Sequence, residues 1–188
     1  MQVKVTGKHT EVGESFTKYM ENTLGDIVTK YFPNPVDSQV IVEKKGHSFF
    51  IDIIAHINNG FDVTSHGQDF DPYTAFDMAI SRLRSRISRH KNRLRDHHSK
   101  EKTIQVGMAQ KYVLDGFTDQ EAETHPAIVA EMEMEVPTIS VGDAVMRMEL
   151  KDMPLYIFKN IQNNQMNVIF RRKDGNIGWV DPSKLTSK

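Results

Sequence analysis

At 188 residues and 38% hydrophobic content, the chain is long enough for one ordinary domain or two small ones and apolar enough to build real cores. Having no cysteine, it excludes disulfides, thiolate metal sites and cysteine nucleophiles, a composition that suits a reducing cytosol. The formal net charge of −1 hides a division: residues 1–100 carry 14 Lys/Arg against 12 Asp/Glu, residues 101–135 carry 2 against 8, and residues 136–188 carry 8 against 5, so two mildly basic blocks flank an acidic one.

The N-terminal Met-Gln-Val-Lys-Val-Thr has no basic stretch followed by an apolar core, and no apolar run approaches the roughly 18 residues of a membrane span, so a soluble, unprocessed cytoplasmic protein is expected. Val3 and Val5 alternate with Lys4 and Thr6, which predicts a first strand with one buried face. From Val12 the apolar residues Phe16, Tyr19, Met20, Leu24, Ile27, Val28 and Tyr31 fall at steps of three and four, the spacing of one helix face, and that helix must end before Pro33 and Pro35. Runs at Val36–Glu43, Phe49–Ile57 and Phe61–Ser65 read as a meander of strands, with Lys44-Lys45-Gly46 and Asn58-Asn59-Gly60 as hairpin turns. Asp71-Pro72 then opens a second helix from Tyr73 to Arg95, Asp being favoured at the cap and Pro in the first turn. The expected order is β-α-β-β-β-α.

Residues 96–127 show no sustained periodicity and concentrate acids at Asp115, Asp119, Glu121 and Glu123, which reads as a mobile, extended linker over 99–127. A second unit starts near Ile128 with a strand to about Val136. Ser140 and Asp143 then form a capping box on a short helix through Leu150, and strands follow at Pro154–Lys159, Gln165–Arg172 and Ile177–Val180. A unit of about 60 residues is marginal for an independent core, so pairing with a second copy is expected. The fold class is therefore α+β, with an N-terminal unit at 1–98, two helices on one face of a four-stranded sheet as in double-stranded-RNA-binding domains, and a small, mainly β dimerisation unit at 128–188.

The second helix carries the chemistry. Phe76, Ile80, Leu83, Ile87 and Leu94, with His90 in register, must face the sheet. Arg82, Arg84, Arg86, Arg89, Lys91, Arg93 and Arg95 flank that stripe without an acid among them. Like charges at spacing four destabilise a helix by a few tenths of a kcal/mol per pair, so a solvated face gives no reason for this pattern, whereas a polyanion does. Arginine binds phosphate bidentately and stacks on bases, which points to RNA or DNA. Lys8, His9, Lys44 and Lys45 extend the candidate surface. The eight histidines, His97 and His98 among them, show no metal-ligand spacing, and neither a nucleophile elbow nor a phosphate-binding glycine loop occurs. Met132, Met134, Met146 and Met148 read as core or dimer contacts. No catalytic residue, metal or cofactor is expected.

The run Asp71-Pro-Tyr-Thr-Ala-Phe-Asp-Met-Ala-Ile-Ser-Arg-Leu, ending in Arg89-His-Lys-Asn-Arg93, resembles the second helix of the ribosome hibernation promoting factors, also called ribosome-associated inhibitors. Ala144-Val-Met-Arg-Met-Glu-Leu150, Tyr156-Ile-Phe158 and Phe170-Arg-Arg-Lys-Asp-Gly-Asn-Ile-Gly-Trp179 resemble the extra domain of that family's long form. The resemblance implies an N-terminal domain that occupies the decoding region of the small ribosomal subunit and blocks messenger and transfer RNA. It also implies a C-terminal homodimer that joins two ribosomes. Arg82, Arg89, Lys91, Arg93 and Lys8 match the family's basic positions; Arg84 and Arg86 stand where the family often has acidic or amide residues. Asp152-Met-Pro-Leu departs from the family's Gly-His-rich pattern. Phe158, Val168 and Phe170 are the dimer-interface candidates. Two other readings compete: a general structured-RNA binder without ribosome-dimerising activity, and an RNA-processing enzyme built on Asp62, His66 and Asp69.

Overall fold

The valine alternation at the N-terminus forms strand β1 (Gln2–Lys8), and the apolar stripe after it forms helix α1 (Glu14–Tyr31). The structure, a computed structural model, describes residues 2–32, 37–57, 61–99, 104–114 and 127–184, the side chains of 92–99 and Lys184 excepted. The turn expected at Asn58-Asn59-Gly60 lies outside them. Strands β2 (Asp37–Lys45), β3 (Ser48–Ile57) and β4 (Phe61–Asp69) follow, then helix α2 (Pro72–Ser99). Strand β5 (Val106–Leu114) and strand β6 (Ile128–Ile139) lead to helix α3 (Val141–Leu150) and strands β7 (Leu155–Asn160), β8 (Met166–Arg171) and β9 (Ile177–Val180).

The chain divides into two units. One comprises Met1–Lys102 with Val145–Tyr156, the other Thr103–Ala144 with Ile157–Lys188, so the last turns of α3 belong to the first. In the first unit the sheet order is β1-β2-β3-β4. β1 lies parallel to β2, with α1 as the crossover a parallel pair needs, and β2, β3 and β4 are antiparallel. Alternate residues of β2 to β4, among them Val40, Val42, Ile51, Ile53, Ala55 and Val63, are buried together with Met20, Leu24 and Val28 of α1 and Phe76, Leu83 and Ile87 of α2. One sheet face thus carries both helices, as the pattern predicted. β4 and α2 approach so closely at Gly67 that a Cβ there would collide with the Ala75 carbonyl oxygen, which is why the strand carries no side chain at that point. Asp71 caps α2 as expected, accepting from the Thr74 N–H at 2.7 Å.

The second unit corrects the linker expectation. Residues 106–114 are strand β5, paired antiparallel with β6 from Val106↔Pro137 to Leu114↔Ile128. The physical reason is a period of two: Val106, Met108, Tyr112 and Leu114 share one face of β5. The rest of the expected linker, 100–103 and 115–126, lies outside the described residues. β6 then touches β7 in parallel at Thr138↔Lys159 and Ile139↔Asn160, with α3 between them, giving the order β5-β6-β7-β8-β9. The capping box is present: Ser140 donates to Asp143 at 2.7 Å and accepts from the Asp143 N–H at 3.1 Å. Buried Asn167 accepts from Asn160 Nδ2 at 3.3 Å and from Trp179 Nε1 at 2.8 Å, so the sheet holds a satisfied polar cluster.

Candidate nucleic-acid interface

Helix α2 divides as its sequence dictates: Leu83, Ile87 and His90 are buried, while Arg82, Arg84, Arg89 and Lys91 are exposed. The arginines one residue ahead of the buried stripe are also structural. Arg82 donates to the His66 carbonyl oxygen at 2.6 Å, and Arg86 donates to the Thr64 carbonyl oxygen. Both carbonyls belong to β4, which ends the sheet, so guanidinium groups occupy acceptors that would otherwise invite another strand.

Arg86 departs from expectation. Its Nη2 stands 2.6 Å from Asp152 Oδ2 and its side chain is only 16% exposed, because β4 and the segment after α3 enclose it. It ties elements together, and a phosphate reaches it only where Asp152 has withdrawn. Arg89 keeps 64% of its side chain exposed, with Nη1 3.9 Å from Glu149 Oε1. Lys91 Nζ lies 5.6 Å over the Tyr31 ring. Arg93 and Arg95 continue the helix, but their side chains fall outside the described residues.

Lys8, His9, Lys44 and Lys45 form a separate group. Lys8 and Lys45 sit 3.1 and 3.0 Å from the two oxygens of Glu43. The hydrogen bonds from Lys45, then Lys8, hold that carboxyl below its ordinary range. Lys44 and Lys45 also lie over Phe49 and Phe50, at 5.3 and 5.2 Å. His9 is exposed in a left-handed conformation, φ 58°. Phe49 pairs with Asp69, so this group marks the sheet end where α2 begins. At 1.5 Å per residue, Arg89 lies about 27 Å along the helix from Asp71. The structure therefore places Arg82, Arg84, Arg89 and Lys91 along the second half of α2, on its two flanks, and Lys8, His9, Lys44 and Lys45 at the sheet end where the helix begins.

Asp62, His66 and Asp69 do not converge as an enzyme would require. Asp62 meets His56 Nδ1 at 2.8 Å and Lys151 Nζ at 2.9 Å, His66 meets Asp152 at 3.4 Å, and Asp69 accepts from the Asp71 N–H at 3.0 Å. Burial pushes the Asp62 carboxyl up, but hydrogen bonds from Lys151 and His56 outweigh it and leave it below its ordinary range. Among the described residues no group of three His, Cys, Asp or Glu is placed to hold a metal, and no helix is long and apolar enough to cross a membrane.

The dimer-interface candidates separate as well. Phe158 is fully buried and presents no surface to a second copy, which corrects its assignment; alternation on β7 turns it inward. Val168 and Phe170 are half-buried on the other face of β8, and the Phe170 ring lies over Gly178 on β9, the space a Cβ would fill. Met166 on β8 and Val180, paired with Val168, share that face and are half exposed. Those two were readable from the period-two alternation of their strands.

Two family descriptions match this chain: "Sigma 54 modulation protein / S30EA ribosomal protein" over residues 3–95, and the C terminus of the same proteins over 123–178. A "Ribosome hibernation promotion factor" of Rhizobium meliloti is 38% identical, covering 98% of this chain and 99% of its own length. The chain belongs to the ribosome hibernation promotion factor family. It has the family's long form, since both regions are present. Relatives of the same name from Bradyrhizobium diazoefficiens and Bacillus subtilis are 29% and 24% identical, covering 97% and 98% of this chain and 95% and 100% of theirs. Between the two matched regions of this hibernation-family chain lies β5, a strand laid along β6.

Proposed function

We propose that this protein silences ribosomes: its first unit binds the decoding region of the small subunit, excluding messenger and transfer RNA, and its C-terminal unit dimerises so that two ribosomes are held together. One observation carries the reading. The second half of α2 bears seven bases and no acid from Arg82 to Arg95, with Arg82, Arg84, Arg89 and Lys91 exposed on it, a surface made for ribosomal RNA phosphates. Residues 1–98 are the RNA-binding part and 128–188 the dimerisation part, with the β8–β9 face around Val168 and Phe170 as the contact between copies. β5 adds to the second part what had been expected as linker. The protein acts by occupancy in the cytoplasm, without catalysis or a cofactor, a reading supported by the names of its relatives.

Sedimentation of purified ribosomes with the full chain tests this directly. A ribosome-dimer peak is expected, and removal of residues from 104 onward should abolish it while small-subunit binding persists. Unchanged gradients would sink the proposal. Binding to the subunit with no dimer peak would favour the structured-RNA-binding alternative.

A further inference from the structure

The end of α3 lies against the basic helix and turns two carboxylates, Glu149 and Asp152, toward it. Within the first unit, Asp152 Oδ2 stands 2.6 Å from Arg86 and 3.4 Å from His66 Nδ1; Glu149 Oε2 stands 2.7 Å from His90 Nε2, and its other oxygen 3.9 Å from Arg89. Lys151 returns the pairing to Asp62 at 2.9 Å, and the Arg147 guanidinium sits 4.1 Å over the Phe61 ring. Met146 and Leu150 anchor the segment, both fully buried in the same core as Leu83 and Ile87. Two carboxylates are thus delivered to the basic stretch of α2 by a helix end whose apolar side chains hold it there.

We infer that residues 146–152 are an internal anionic mask, in which Glu149 and Asp152 occupy the cations that ribosomal RNA phosphates would take. The inference rests on reading α2 as the RNA-binding surface. A carboxylate and a phosphate present the same acceptor geometry to a guanidinium, so the two compete for Arg86 and Arg89. Arg82, Arg84 and Lys91, exposed along the same helix, serve the first encounter. A protein whose binding-competent form is a fraction of the whole binds more weakly by that fraction. The masked chain therefore sits below its intrinsic affinity for RNA, and full engagement requires residues 146–152 to leave α2.

The test uses the full chain, purified small ribosomal subunits and a series of salt concentrations. E149Q with D152N keeps the shapes and removes the charges; subunit binding should tighten about tenfold near 0.1 M salt. Its salt slope should steepen by about 0.7–0.9 for each cation returned to RNA. E131Q with E133Q, on exposed positions of β6, changes net charge equally and should alter affinity less than twofold. R82A with R84A should weaken binding. If E149Q with D152N does no more than the β6 control while R82A with R84A loses affinity, the mask is wrong and the RNA surface stands. If R82A with R84A changes nothing, the RNA reading fails and the mask with it. Amide hydrogen exchange supplies a second readout: amides of 147–153 should exchange faster once the wild-type chain is bound to subunits, and unchanged or slower exchange overturns the mask.

Discussion

Single side chains in this protein serve either shape or charge, and burial decides which. Arg84 and Arg86 are two residues apart with the same chemistry, yet Arg84 is exposed and Arg86 is enclosed by Thr64 and Asp152. Arg84→Ala together with Arg89→Ala should leave the unfolding temperature near that of the wild type and lower the salt slope of subunit binding by about 1.4–1.8, two phosphate contacts' worth. Arg86→Ala should instead cost about 1–3 kcal/mol of stability, since it strands a carbonyl and a carboxylate; chemical denaturation followed by circular dichroism measures it. The carboxylates set the acid limit. Hydrogen bonds from the Thr74 backbone, then its hydroxyl, hold Asp71 below its ordinary range, and Lys151 and His56 do the same for Asp62 against the opposing effect of burial. A carboxyl depressed in the folded state stabilises it above the unfolded value, near 4, and that contribution fades as pH falls through the folded value. Stability should therefore fall below about pH 4, and Asp62→Asn should flatten the decline in thermal scans between pH 5 and 2.

At the scale of elements, strong periodicity was legible and weak periodicity was not. The stripes of α1 and α2, the Asp71 cap and the Ser140–Asp143 box appear where the spacing of residues placed them. β5 is weakly legible because Gln110 interrupts the apolar series of Val106, Met108, Tyr112 and Leu114 and acids follow it, so composition points to a linker where alternation points to a strand. The basic stretch of α2 was readable as a surface. Its subdivision was not, because the ties from Arg82 and Arg86 to β4 and the carboxylates of Glu149 and Asp152 come from residues distant in sequence. Phe158 shows the same limit: an aromatic in a strand is equally legible as core or interface until the buried face is known. Close packing of elements also gives a sharp expectation. Gly67→Ala forces β4 away from α2 and should cost about 1–3 kcal/mol or more, read as a lowered unfolding temperature; an unchanged midpoint would mean the two elements separate freely.

For the whole molecule, the proposed silencing in pairs would use both units, and the two proposed functions are separable. Val168→Glu places a charge on the half-buried outer face of β8. It should convert dimers to monomers in sedimentation velocity and remove the ribosome-dimer peak without loss of subunit binding; persistent dimers would move the interface elsewhere. The chain's one tryptophan adds something that the fold alone does not announce. Trp179 sits on β9, half exposed, with its indole bonded to the buried Asn167. Its ultraviolet emission is therefore a private signal from the C-terminal sheet, apart from helix α2. Dilution of the unlabelled protein, or its mixing with ribosomes, becomes an optical experiment in which the colour of one residue reports on the second unit alone.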